Sequence, residues 1–337
     1  MSVQIKEKYL TLLRQVVPAS FREDGSALRL DAGGESVIVQ RALDHVEKTV
    51  TETLYAELRA LKFVPMIPGI DPGARSYTFL VEDRVGRAVA TGDRGKSLPR
   101  VDVSLSEHTS AVKIIGTSYS YTTQELREVA KASKFGPSIQ LDQMRANVAT
   151  DVIARDIDSI VAFGSANDSR IKGFLNNSSV TVDSAAKAWE DMSPEELLEE
   201  LKTLANTQVI VSKEVFSPDT ILLPTKHMLI VSGRSYGLAA NETVLSFFLE
   251  KVMKATGRQM SVDSWPLLAT ADAARTGPRA VAYKRHVDVA GSIVPIPFIA
   301  HSPQPVELEW VTPCEASCGG TAVKQPLGMF YYDGLDG

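Results

Sequence analysis

Only two cysteines occur in the 337 residues, Cys314 and Cys318. That count excludes a disulfide framework and suits a reducing compartment. No apolar run approaches the ~20 residues that a bilayer-spanning helix needs. Residues 1–30 alternate charge with short apolar groups and lack the apolar core of a signal peptide. A dense basic block is missing too: 36 Lys and Arg stand against 41 Asp and Glu, for a net charge of −5 with both signs scattered. That pattern marks no nucleic-acid groove, and its mild acidity suits a surface that meets nucleic acid without gripping it. Aromatics make up 7% and form no base-stacking platform. No Walker loop, G-x-G-x-x-G or H-E-x-x-H occurs.

The chemical motifs that do occur are weak. Gly233-Arg234-Ser235-Tyr236-Gly237 matches a nucleophile elbow, and Asp288 and His301 follow in hydrolase order. No HGGG-like oxyanion segment accompanies it, so the stretch reads better as a loop between Met228-Leu229-Ile230-Val231 and a helix from Thr243. Cys314 and Cys318 are separated by three residues without a second cluster, and His45, His108, His227, His286 and His301 are scattered singly. Free, partly buried thiols are expected, with no metal and no cofactor. Asp151, Asp156 and Asp158 do not converge on one helical face and read as solvated carboxylates. Glu195, Glu196, Glu199 and Glu200 read as a solvated helix face.

What is present is architecture. The composition, 44% hydrophobic and 23% charged, is that of an ordinary soluble chain long enough for two domains. Residues 1–40 read as an N-terminal arm, and 41–76 as a helix and linker with an apolar stripe at Val46, Val50, Leu54, Leu58 and Leu61. Strand signals run from Tyr77 to Thr91 and from Val101 to Gly116, where Val101, Val103 and Leu105 alternate with polar residues. Between them, Gly92 to Pro99 is a charged tip, so residues 77–116 form an extended hairpin whose Asp93, Arg94, Lys96 and Arg100 are candidate inter-subunit contacts.

Thr122 or Thr123 caps a short helix with Glu125 in its first turn. Pro137 then opens a helix of 27 residues to Phe163, a rod of roughly 40 Å. Leu141, Met144, Val148 and Val152 form one stripe on it, and Ile153, Ile157 and Ile160 a second, which means two neighbours along one rod. Gly164 supplies its stop. Residues 181–290 read as an α/β domain, with a capping box at Ser193-Pro194-Glu195-Glu196, a buried strand at Thr220–Leu223 and a helix from Thr243 to Ala255. The segment from Arg279 to Tyr332 is strand-rich. A long hairpin and a long rod are parts that reach neighbouring subunits.

The ordered set of motifs resembles major capsid proteins of tailed bacteriophages with the Hong Kong 97-type fold, in the branch called a domain of unknown function and related to encapsulins. The residues that carry it are Ser97-Leu98-Pro99-Arg100-Val101-Asp102-Val103, Tyr119-Ser120-Tyr121-Thr122, and Ile171-Lys172-Gly173-Phe174-Leu175-Asn176-Asn177. Ser217 to Pro224, Gly319-Gly320 and Tyr331-Tyr332-Asp333-Gly334 add to them, so the likeness spans roughly residues 40–337. It implies an α+β fold with an arm, an extended loop over a neighbour, a spine helix (137–163) in a peripheral domain (117–180), an axial domain (181–290), and C-terminal strands (291–337) returning to the peripheral domain. It implies self-assembly of pentamers and hexamers into an icosahedral head around double-stranded DNA, non-specifically held. Scaffolding, portal and decoration proteins are further partners, with assembly in the host cytoplasm and no membrane. The other readings are an encapsulin-like nanocompartment shell and a serine hydrolase at Ser235.

Overall fold

The computed structural model describes residues 56–89, 100–132, 141–236, 242–254, 257–272 and 277–337. The chain divides after Glu52, and all described residues belong to the part from Thr53 to Gly337. The arm at 1–40, the predicted helix up to residue 55, the hairpin tip and the Pro137 start of the rod lie outside the described residues.

Helix α1 (Ala60–Phe63) is one turn long. Of the helix predicted over 41–61, only residues 56–61 are described, and of these Ala60 and Leu61 are helical. Residues 56–59 are not helical, and Leu58 and Leu61 are exposed, whereas a packed stripe would bury them. The first N–H of α1, that of Ala60, is held from outside by Asp158 at 2.7 Å, and Pro65 turns the chain directly after the helix. Strands β1 (Ser76–Val85) and β2 (Asp102–Ala111) pair antiparallel over their whole length, as a two-stranded sheet of their own. The predicted second strand ran to Gly116, but the hairpin stops at Ala111. Val112 donates to the Arg75 carbonyl, and the chain then changes sheet as β3 (Lys113–Thr122). Tyr119 to Thr122 belong to β3 before leading into α2 (Thr123–Ala132). There the Thr122 hydroxyl accepts from the Glu125 amide while the Glu125 carboxylate accepts from Thr122 N–H, a reciprocal cap.

Helix α3 (Leu141–Phe163) has 23 described residues, about 35 Å. After the small hairpin β4 (Gly164–Ser165) and β5 (Asp168–Lys172) comes β6 (Thr181–Ser184). Helix α4 (Pro194–Val211) begins at the expected Ser193–Glu196 capping box and buries Leu197, Leu198, Leu201 and Leu204. Strand β7 (Thr220–Leu223) is buried throughout. Met228 to Val231, read as standing before a loop, lie inside helix α5 (Thr225–Gly233). A short apolar run does not declare its period. Helix α6 (Val244–Phe247) is capped by Thr243 and passes into a π-helical turn at Phe248–Met253, so the helix expected from Thr243 is helical through Lys254 but not α throughout. Strands β8 (Ser261–Ser264), β9 (Ala280–Tyr283), β10 (Ala290–Ser292), β11 (Ile296–Ala300), β12 (Gln304–Val306), β13 (Glu309–Cys318), β14 (Thr321–Val323) and β15 (Met329–Asp333) complete the chain.

Two sheets organise these elements. In one, β13 pairs with β3 along ten residues on one side and with β11 and β12 on the other. The other has five strands in the order β6-β15-β9-β7-β8. The last strand lies in the five-stranded sheet, between β6 and β9, while β11, β12 and β13 belong to the sheet of β3. Its run of Met329, Phe330, Tyr331 and Tyr332 is apolar on both faces because both faces are covered. Ile221, Leu223, Ala280, Ala282, Phe330 and Tyr332 face a core built on α4. Leu222, Val281, Tyr283, Met329 and Tyr331 face a second core with Ile153, Ile157 and Val161 of α3. One buried sheet separates the two cores.

Candidate assembly surfaces

The C-terminus of α3 leaves carbonyls without helical partners, and the Gly173-Phe174-Leu175-Asn176-Asn177 turn satisfies them. Phe174 N–H donates to Val161 O at 2.9 Å, Leu175 N–H to Ala162 O at 2.8 Å, and Asn176 Nδ2 to Phe163 O at 2.8 Å. This return requires glycine twice. Gly164 adopts φ +76°, and a Cβ at either Gly164 or Gly173 would overlap the backbone of the other limb.

The same turn is bolted to the C-terminal strand. Arg279 is fully buried, and its Nε and Nη2 donate to the Asp333 carboxylate at 2.6 and 2.7 Å while Nη1 donates to Leu175 O at 2.5 Å. Its guanidinium lies 4.5 Å above the Tyr331 ring. The Tyr331 hydroxyl donates to Phe174 O, and burial holds that phenol above its ordinary pKa. Sequence reasoning missed this node, because Arg279 carries no local pattern and Asp333 figured only within the Tyr-Tyr-Asp-Gly signature.

Outside the cores, apolar side chains are left in the open. On the hairpin, Leu80 and Leu105 are each 65% exposed, and Val103 is 54% exposed on the same face as both. On α3 the second stripe packs inward, with Ile153 and Ile157 buried and Ile160 half-buried, but the first does not: Met144, Val148 and Val152 are exposed, Val148 at 61%. Large apolar residues at helical and strand spacing, left unburied, are the mark of contact surfaces. Arg100 is exposed beside Val101 at the start of β2, while Asp93, Arg94 and Lys96 lie outside the described residues.

The hydrolase order does not assemble. Ser235 is exposed and bridges to Thr243. Asp288 stands 3.2 Å from His286, and His301 is 3.2 Å from Glu315. His108 stacks on Phe79 at 5.3 Å, and His227 is buried edge-on to Trp189, with a pKa lowered by that burial. His45 lies outside the described residues. Cys314 and Cys318 are free and fully buried, and burial pushes the Cys318 thiol up to about 11. Among the described residues no group of His, Cys, Asp or Glu could hold a metal, and no helix is long and apolar enough to cross a membrane. Of the three aspartates, Asp158 departs from expectation: it is buried, caps α1 through Ala60 N–H, and burial raises its pKa. Its partner lies 98 residues away, beyond the reach of spacing arguments.

Residues 86–335 match the family model described as "Major capsid protein". A search of the curated proteins finds no match. Among solved structures, the chain superposes on the capsid of Myoviridae phage XM1 with TM-score 0.74 at 16% identity, covering 90% of this chain and 100% of that one. A chain from Mycobacterium phage Bobi gives TM-score 0.59 at 11% identity, with 86% and 95% covered. One from Mycobacterium phage Ogopogo gives 0.57 at 12%, with 89% and 100% covered.

Proposed function

The chain belongs to the major capsid protein family, and we propose that it tiles a closed icosahedral head from pentamers and hexamers of itself. It is a capsid shell protein of the virion with the Hong Kong 97-like fold, structural and not enzymatic. The finer reading rests on one observation. The hairpin and the rod both leave apolar faces exposed, and among the described residues the hairpin's sheet holds only its own two strands. An isolated two-stranded ribbon is marginal in water and gains stability by lying on another surface. In this reading the hairpin is the extended loop over a neighbour, with Asp93, Arg94, Lys96 and Arg100 as its tip contacts. Residues 117–180 with α3 form the peripheral domain, and most of 181–290 the axial domain. The five-stranded sheet and the Arg279 node hold the two cores as one body under load.

Each contact is modest, and closure makes later contacts effectively intramolecular. Head-to-tail contacts that close by rotation generate rings. The shell encloses double-stranded DNA without sequence preference, consistent with a net charge of −5 and no basic block. Scaffolding, portal and decoration proteins complete the particle, which assembles in the host cytoplasm. The nanocompartment alternative is not favoured, because the family matched is that of major capsid proteins. The test is the content of purified particles: closed shells with nuclease-protected double-stranded DNA are expected. Shells that hold an enzyme and no DNA would contradict it.

A further inference from the structure

We propose that the Glu307-Leu308-Glu309 tip of one copy seats in a cationic cleft at the root of the β1–β2 hairpin of a neighbouring copy. The inference rests on the shell reading and adds a residue-level contact to it. The cleft has a volume of about 390 Å³, within the range of ~300–1,000 Å³ typical of sites that bury most of what they bind. Its apolar lining comes from Phe79, Val81 and Val323, and its cations are Arg170, Lys172 and Lys324. Arg170 is already held by Asp168 through bonds of 3.1 and 2.9 Å, so the net positive charge of the cleft rests on Lys172 and Lys324. Among the described residues no carboxylate lines it. The Lys324 ammonium leans over the Tyr77 ring at 5.9 Å, at the cleft's hairpin side.

The tip is the inverse of that surface. It joins β12 to β13 and reads acid–leucine–acid. Leu308 is 78% exposed, more than any other large apolar residue described. Glu307 holds φ +55°, a conformation that two-residue hairpin loops ordinarily give to Asn or Gly. Solvent alone does not call for a leucine there. The tip is also held in place: Thr123 donates from both its N–H and its hydroxyl to the Leu308 carbonyl, at 3.1 and 3.0 Å. A knob fixed in advance loses little entropy on docking.

One copy cannot fill its own cleft. The tip lies at the Glu309 end of β13, and the cleft begins just past the Cys318 end of the same strand. Ten residues of strand separate them by roughly 30 Å, and β13 is pinned to β3 along that length. The contact is therefore between copies and head-to-tail, the kind that propagates into rings or lattices. Leucine would meet the apolar lining, and the two flanking carboxylates would meet Lys172 and Lys324.

The experiment places a photo-crosslinking p-benzoylphenylalanine at Leu308 in particles assembled from isotopically mixed copies. Cross-links between copies to residues 79–81, 169–172 or 321–326 are expected. Lys172→Glu with Lys324→Glu should raise the concentration needed for assembly by about tenfold or more, because like charges would face one another. Glu307→Lys with Glu309→Lys in the same chain should restore it, which a misfolded variant could not do. Shells that form with Leu308 cross-linked elsewhere, or a charge reversal without effect on assembly, overturn this inference and leave the shell reading intact. A chain that stays monomeric under all assembly conditions overturns both.

Discussion

Replacing Arg279 by methionine would strip the node that joins the α3 turn to the last strand. The side chain is 2% exposed and makes three hydrogen bonds, two to Asp333 and one to Leu175 O. Methionine fills much of the space but leaves the Asp333 carboxylate, 17% exposed, without its partner. Removing one member of a buried pair costs about 3–5 kcal/mol. The partial exposure of Asp333 places the effect near the lower end, about 3 kcal/mol. The loss of the donor to Leu175 O adds on the order of 1 kcal/mol. Lysine at the same position keeps the charge but not the two-pronged geometry, so Arg279→Lys should fall between wild type and Arg279→Met. The double change Arg279→Met with Asp333→Leu should cost less than Arg279→Met alone, since no charge is stranded. Urea unfolding of dissociated subunits reads this out by tryptophan fluorescence, because Trp265 lies 6.3 Å from Phe174 in the adjoining core. A loss below about 1 kcal/mol in the single variant, or a double variant less stable than the single, would refute the reasoning.

Gly164→Ala should destabilise by about 2 kcal/mol or more, from the left-handed backbone and the overlap with Ile171 O. Gly233→Ala, where the added carbon meets open space, is the near-neutral control in the same urea series. Asp158 has a pKa raised by burial, so folding disfavours its charged form relative to the unfolded chain. Its contribution is fully present below the ordinary carboxylate range and is lost as pH rises through the raised value. Asp158→Asn, which keeps the acceptor for Ala60 N–H, should therefore gain in urea midpoint relative to wild type between pH 3 and 7, while Asp158→Ala loses the cap at both. Cys314 and Cys318 should resist a thiol reagent at pH 8 in the native protein and react once urea exposes them.

Features encoded locally were legible in the sequence. Ser193-Pro194-Glu195-Glu196 and Thr122–Glu125 specify helix starts through bonds spanning three residues, and both form as expected. Gly164 stops α3 because only glycine relaxes at its φ. Non-local features were not legible. No breaker marks Val112, so two strands in different sheets read as one alternating run from Val101 onward. Residues Arg279 and Asp158 take their roles from partners 54 and 98 residues away. The two stripes on α3 were visible, but only the structure separates the one buried at Ile153 and Ile157 from the one left open at Met144, Val148 and Val152. The contact residues proposed at the hairpin tip came from charge and position alone. The exposed leucine at 308 gives no signal of its own, because a hairpin tip in sequence looks like any polar turn.

Cryo-electron microscopy of the assembled protein tests the central claim most directly. The account predicts closed icosahedral shells of five- and six-fold rings. In them β1–β2 would lie across an adjacent copy, and Met144, Val148 and Val152 would be covered by another chain. A closed shell in which the ribbon folds back on its own body and those three side chains still face solvent would contradict it.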